Sequence, residues 1–92
     1  MRYVIDIDGV ICKISTPFSE CKPKWNIIRK INQLYKEGHR IILFTSRRHS
    51  DRKVTMKWLR KYIVKYHKLI MGKPLATYYV DDKNLSIRGF LK

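Results

Sequence analysis

The stretch Val4-Ile5-Asp6-Ile7-Asp8-Gly9-Val10 constrains this chain more than any other. It is a short apolar run that ends by presenting two carboxylates, one residue apart, on a turn that Gly9 permits. Side chains alternate along a strand, so Ile5 and Ile7 face one side and Asp6 the other. Asp6 therefore belongs at the carboxyl end of a buried strand, where open α/β sheets bind their ligands. Two carboxylates there repel each other unless a cation or a shared proton separates them. Metal-assisted phosphoryl chemistry is a reason to tolerate that repulsion.

With 92 residues, the chain makes one domain, residues 1–92, and not two. At 45% hydrophobic it can build a core, so disorder is not expected. No apolar run is long enough to span a bilayer, and Met1-Arg2-Tyr3 does not begin a signal peptide, so the expected location is cytoplasmic. Cys12 and Cys21 are nine positions apart without a CxxC pair and read as reduced thiols. With His39, His49 and His67 scattered, they do not suggest zinc. The charge is the loudest bulk feature: 21 Lys and Arg against 7 Asp and Glu, a net of +14. Such an excess implies polyanionic company, either phosphorylated substrates, nucleic acid or an acidic surface. Four of the seven acids, Asp6, Asp8, Asp81 and Asp82, fall in two tight clusters, which surface decoration does not explain.

Residues 2–7 read as a first strand, and 8–22 as a polar loop. A helix then runs from about Pro23 to Gly38, with Ile27, Ile28, Ile31 and Leu34 at helical spacing. Arg40–Phe44 is a second strand, followed by Thr45-Ser46-Arg47-Arg48. Ser50-Asp51 opens a second helix expected to reach His67, with Met56, Leu59, Ile63 and Tyr66 inward and Trp58 and Tyr62 flanking. Lys68–Met71 is a third strand closed by Gly72-Lys73-Pro74, and Thr77–Val80 a fourth, closed by Asp81-Asp82. The tail is expected to add a short turn or edge strand. The resulting fold class is α/β: a small three-layer Rossmann-like domain with a mostly parallel sheet of about four strands. Parallel strands would bring Asp6 and Asp8, Thr45, Lys73, and Asp81 with Asp82 to one sheet edge. That set offers a nucleophile, an acid, a hydroxyl, a cation and metal-binding carboxylates, as phosphoryl transfer requires.

Taken in order, Asp6-Ile7-Asp8-Gly9-Val10-Ile11, a strand ending in Thr45, then Lys73 and the pair Asp81-Asp82 resemble the signature of the haloacid dehalogenase-like phosphatases. The resemblance runs from about residue 2 to residue 83. It implies that Asp6 attacks phosphorus to form an aspartyl-phosphate, and that Asp8 acts as general acid and then base. Thr45 would bind a phosphoryl oxygen and Lys73 would balance charge. Mg²⁺ would be held by Asp6, the Asp8 carbonyl and Asp81, with Asp82 direct or through water. The loops 9–22 and 46–51 are too short for the family's usual cap domain. This implies a minimal capless member similar to small capsule- and sugar-phosphate-type phosphatases, whose open site a homo-oligomer partner could cover.

Each feature also has a plain reading. Asp8 could simply cap a turn, Thr45 and Ser46 a helix or strand end, and Lys73 could be a surface lysine. Ser46 and Arg47 are candidates to bind substrate, although loop charges are often merely solvated. Lys53, Lys57, Lys61 and Lys65 recur at i+4, where like charges disfavour a helix by a few tenths of a kcal/mol per pair. A solvated face explains this stripe, and a nucleic-acid track is the alternative. The leading expectation is a Mg²⁺-dependent phosphomonoesterase acting on a small phosphorylated metabolite such as a sugar phosphate. The alternatives are a phosphatase of nucleic-acid ends, or a non-catalytic basic nucleic-acid-binding domain.

Overall fold

The computed structural model describes residues 1–92. Three parallel strands, β1 (Arg2–Asp6), β2 (Arg40–Phe44) and β3 (Lys68–Ile70), form one sheet in the order β1-β2-β3. Asp6 stands opposite Phe44, and Phe44 opposite Ile70, so the three carboxyl ends are level. Between the strands run α1 (Trp25–Lys36) and α2 (Arg52–Lys61), and a short α3 (Ile87–Leu91) ends the chain. No helix is long and apolar enough to cross a membrane.

The strand order never reverses, so two crossovers of the usual right hand place α1 and α2 on the same face. Burial follows. Ile5, Ile7, Ile41, Leu43, Leu69 and Met71 are buried, whereas the alternate positions Val4, Ile42, Phe44 and Ile70 are not. The helices thus form one layer on one face, which corrects the expectation of three layers. Helix α1 packs through Ile27, Ile28, Ile31 and Leu34, and stops at Gly38, whose φ of +91° suits glycine.

Helix α2 is shorter than its apolar pattern suggests. Ile63 adopts φ +56°, its N–H reaches the Arg60 carbonyl, and the Val64 N–H reaches that of Leu59. This closing pair ends the helix at Lys61 instead of His67. Asn32 holds the turn from α1, donating to the Ile63 carbonyl and accepting from the Lys65 N–H, both at 2.8 Å. Lys65 therefore leaves the lysine face, and Ile63 is 66% exposed instead of inward. Trp58 moves the other way: it is core, and its indole N–H donates to the Cys21 carbonyl at 2.8 Å.

The fourth strand does not form. Residues 77–80 make no ladder and are exposed, leaving β1 with a free edge. Local bonds curl the segment on itself, because the Tyr79 hydroxyl donates to the Pro74 carbonyl and accepts from the Ala76 N–H. A groove of about 1030 Å³, lined by Val4, Asp6, Lys73, Tyr78, Val80 and Asp81, separates the segment from the β1 edge. The tail returns as α3, capped by Ser86, whose Oγ accepts from the Gly89 N–H. Phe90 of α3 packs edge-on against Tyr3 of β1, with ring centroids 6.0 Å apart.

Candidate active site

Just beyond β1, the N–H groups of Val10, Ile11 and Cys12 all converge on the Ile7 carbonyl. Gly9, at φ +85°, makes this tight turn possible and donates back to the Cys12 carbonyl at 2.8 Å. The knot sets Asp8 close beyond Asp6 at the sheet edge. Past Phe44 the β2 chain stays tied to the segment after β3. Thr45 N–H donates to the Ile70 carbonyl, Lys73 N–H to that of Thr45, and Gly72 N–H to that of Arg47. Those bonds carry Lys73 across to the end of β1. Gly72, at φ +78°, has no room to spare, since a Cβ there would stand 3.2 Å from His49 Nε2.

Lys73 Nζ donates to both oxygens of Asp6, at 2.9 and 2.7 Å, joining residues 67 positions apart. The two side chains are 13% and 40% exposed, so the pair is partly screened by water. The ammonium also lies 3.8 Å from the centre of the Tyr79 ring, a cation–π contact that fixes it from the other side.

Arg47 builds a second and deeper pair. Its Nε and Nη2 donate to the two Asp8 oxygens at 3.0 and 2.7 Å, in the forked geometry that suits a carboxylate. Nη1 donates to Thr55 Oγ1 at 3.0 Å, and the guanidinium lies 4.0 Å from the centre of the Phe18 ring. The Arg47 side chain is only 3% exposed, so it is a buried strut rather than a rim residue. Burial alone would lower its pKa, but the hydrogen bonds and charge of Asp8 outweigh burial and raise it. Nη2 also lies 3.9 and 3.8 Å from the sulfurs of Cys12 and Cys21. Burial first, then the neighbouring Cys21 and Asp8, push the Cys12 thiol up to about 12, so it stays protonated.

Over these pairs opens a cleft of about 470 Å³, which Asp6, Asp8, Thr45, Ser46, Arg47 and Arg48 all reach. Thr45 is buried, and its Oγ1 accepts from the Arg47 N–H at 3.1 Å, which leaves the hydroxyl proton to donate. Ser46 and Arg48 are exposed at the rim, beside the apolar side chains of Ile14 and Leu75. The structure thus gathers Asp6, Asp8, Thr45, Ser46, Arg47 and Lys73 at the cleft, whereas Asp81 lines the neighbouring groove that Asp6 also reaches, and Asp82 lines neither. Asp81 is fully exposed on the curled segment, and its carboxylate accepts from the Lys83 N–H at 2.8 Å. That bond is the first cause of its lowered pKa, followed by the neighbouring Asp82 side chain.

These placements bear directly on magnesium, which demands a near-octahedral shell of oxygens. Each Asp6 oxygen accepts one hydrogen bond from Lys73 and each Asp8 side-chain oxygen one from Arg47, Asp81 accepts from the Lys83 N–H, and Asp82 is exposed. The one group of three or more acidic, thiol or imidazole side chains with ligand atoms within 4.8 Å of each other is Asp8, Cys12 and Cys21. It is softer than magnesium prefers, and Arg47 already occupies it. The carboxylates of Asp6 and Asp81, two of the expected magnesium ligands, belong to no group of three such side chains within that distance. Sequence spacing did not signal the thiol pair around Arg47. It also did not signal the Tyr79 ring on Lys73, because residue 79 read as a strand position.

No family model matches the chain, and no curated protein does. Among solved structures, the chain is similar to a crystal structure of an MCSG target from Vibrio cholerae. The TM-score is 0.85 at 19% identity, over 98% of this chain and 86% of that one. It is also similar to a structure of a Pnkp1/Rnl/Hen1 complex, with TM-score 0.69 at 22% identity, over 88% of this chain and 30% of that one. A structure of the Pnkp1/Rnl/Hen1 RNA repair complex scores the same over 85% and 27%. The chain therefore corresponds to under a third of those longer chains, and the likeness establishes a shared α/β fold.

Proposed function

We propose that this chain is a phosphohydrolase that cleaves a phosphate monoester in the cleft above Asp6. The observation that carries the reading is the Lys73–Asp6 contact at 2.7 and 2.9 Å, made at the carboxyl end of a parallel strand beside the Thr45 hydroxyl. A carboxylate has about four lone-pair positions, so each Asp6 oxygen keeps one free while Lys73 holds the other. Asp6 attacks phosphorus in line, and the alcohol oxygen departs with the electron pair of the bond that breaks. Lys73 and the Thr45 hydroxyl offset charge on the phosphoryl oxygens, and Arg48 meets the part of the substrate at the rim. Water then attacks the aspartyl-phosphate, releasing phosphate and restoring Asp6. Asp8 serves these steps as proton donor and then acceptor only when the Arg47 fork loosens from at least one of its oxygens.

Two substrate classes suit the open cleft: a small phosphorylated metabolite such as a sugar phosphate, and the phosphorylated end of a nucleic acid. The second gains support from the net charge of +14 and from the likeness to chains of an RNA repair complex. The test is phosphate release from an aryl phosphate, a panel of sugar phosphates and phosphorylated oligonucleotides, with and without divalent ions. Asp6→Asn should abolish release from whichever substrate the wild type accepts. Full activity in that variant, or none in the wild type, would refute the reading.

A further inference from the structure

Only two of the 21 cations lie within 4.0 Å of a carboxylate: Arg47 with Asp8, and Lys73 with Asp6. The other nineteen have no such partner. Helix α2 concentrates them. Lys53, Lys57 and Lys61 are all exposed, while Thr55, Trp58 and Leu59 on the opposite side are buried. Four residues of helix rise about 6 Å, so the three ammonium groups are spaced along the axis much as phosphates are along an extended single strand. They oppose helix formation mutually, and no acid offsets them. The helix also starts at the cleft: Arg48 and Asp51, just before α2, both line it.

At the far end of α2 the character of the surface changes. Lys61 Nζ lies 5.3 Å from the centre of the Tyr62 ring, and the Tyr62 ring meets that of Trp25 at 5.6 Å. Trp25 is 50% exposed. Phosphate-spaced cations leading to a half-exposed tryptophan, backed by the partly buried Tyr62 ring, are the two parts of a single-strand binding surface: charge for the backbone, a ring for a base. A lipid surface would instead want apolar side chains among the cations, and the exposed residues between Lys53 and Lys61 are themselves charged.

We infer that the face of α2 from Arg48 to the Trp25–Tyr62 pair is a docking track for single-stranded nucleic acid. A terminal phosphate in the cleft makes such a strand the substrate, and this last step rests on the phosphohydrolase reading. Each cation that meets a phosphate of a single strand contributes about 0.7 to the slope of log affinity against log salt. Four contacts, from Arg48, Lys53, Lys57 and Lys61, give a slope near −3.

The experiment titrates a short single-stranded oligonucleotide carrying a terminal phosphate into the wild-type protein across a salt series, following Trp fluorescence. A Lys53→Ala/Lys57→Ala/Lys61→Ala variant should shift the slope by about 2 toward zero, with aryl phosphate turnover unchanged. Trp25→Leu should weaken binding about tenfold and remove the fluorescence change that accompanies it, without altering the slope. Circular dichroism confirms that the variants fold, and the wild-type slope is a measure that needs no variant. A wild-type slope near zero, no effect of the lysine substitutions, or tighter binding to phosphatidylglycerol vesicles than to the oligonucleotide would overturn the track. Aryl phosphate turnover without oligonucleotide binding overturns the track and leaves the enzyme standing. Binding with the expected slope, but without Asp6-dependent turnover, upholds the track and removes the enzyme.

Discussion

Arg47 offers the sharpest quantitative test of how this small domain holds together. Arg47→Met removes the guanidinium and keeps most of the apolar stem. Asp8, 22% exposed, then loses both charged hydrogen bonds, and Thr55 loses its donor. Breaking a fully buried pair from one side costs about 3–5 kcal/mol. Partial exposure of Asp8 lets water return, so about 2–4 kcal/mol is the reasonable figure here. A domain of this size is stable by only about 5–14 kcal/mol, so the variant loses a large share of it. Asp8→Asn should cost at least as much, because it strands the more deeply buried partner. The double variant should lose about 2 kcal/mol less than the sum of the singles, since neither charge is then left alone. Urea unfolding followed by circular dichroism at neutral pH measures all three. A coupling below about 0.5 kcal/mol, as exposed pairs give, would mean that water reaches this pair and that the buried-strut argument is wrong.

Three further outcomes are expected. Ile63 holds φ +56°, which costs a β-branched residue about 1–2 kcal/mol, while its side chain is largely in water. Ile63→Gly should therefore stabilise by about 0.5–1 kcal/mol after the added freedom of the unfolded chain, raising Tm by a few degrees; a lower Tm would contradict the turn geometry. The Cys12 thiol is raised in the fold from 9.0 to about 12, so the unfolded chain sheds its proton first. Its contribution is complete below pH 9 and is lost as pH climbs toward 12, so Cys12→Ala should show a shallower alkaline fall in stability than wild type. Equal slopes would refute that assignment. Tyr79→Leu removes the ring on the Lys73 ammonium and should lower kcat two- to fivefold, the equivalent of about 0.5–1 kcal/mol, with little effect on unfolding. An unchanged kcat would free Lys73 from any need of that ring.

Much of this arrangement is legible in the sequence. The run into Asp6, the β2 span Arg40–Phe44 and the α1 stripe were all read from local pattern, because each is set by side-chain period and a nearby glycine. The meeting of Asp6 with Lys73 followed from parallel strands ending level. What escaped were features decided by contacts distant in sequence. Asn32 on α1 stabilises the turn at Ile63, so the apolar period of α2 continues in sequence where the helix does not. Residues 77–80 have every local mark of a strand, yet Tyr79 bonds Pro74 and Ala76, and the β1 edge stays open. By sequence, Arg47 is a candidate to bind substrate or a solvated loop charge, because its neighbours are polar. Only the fold brings Asp8, Thr55, Phe18 and two thiols around it.

The two ion pairs at the cleft differ in a way that decides which of them can report on function. Asp8 and Arg47 join the cleft to the core through Thr55 and the thiols, so changing either confuses lost activity with lost structure. Asp6 is 40% exposed although Lys73 is only 13% exposed, so water screens the carboxylate that the loss of Lys73 would leave, and the pair contributes about 1 kcal/mol or less. Lys73→Met should therefore leave the urea midpoint within about 1 M of wild type, as a loss of up to 1 kcal/mol requires at the m-value of about 1 kcal/mol/M of a small domain. Turnover should nevertheless fall by about 10²–10³, the usual effect of losing one preorganised charge at a developing anion. Activity lost only in proportion to the folded fraction would show that Lys73 serves the fold rather than the reaction. The Asp6–Lys73 pair would then be an ordinary surface contact that happens to lie at a sheet edge.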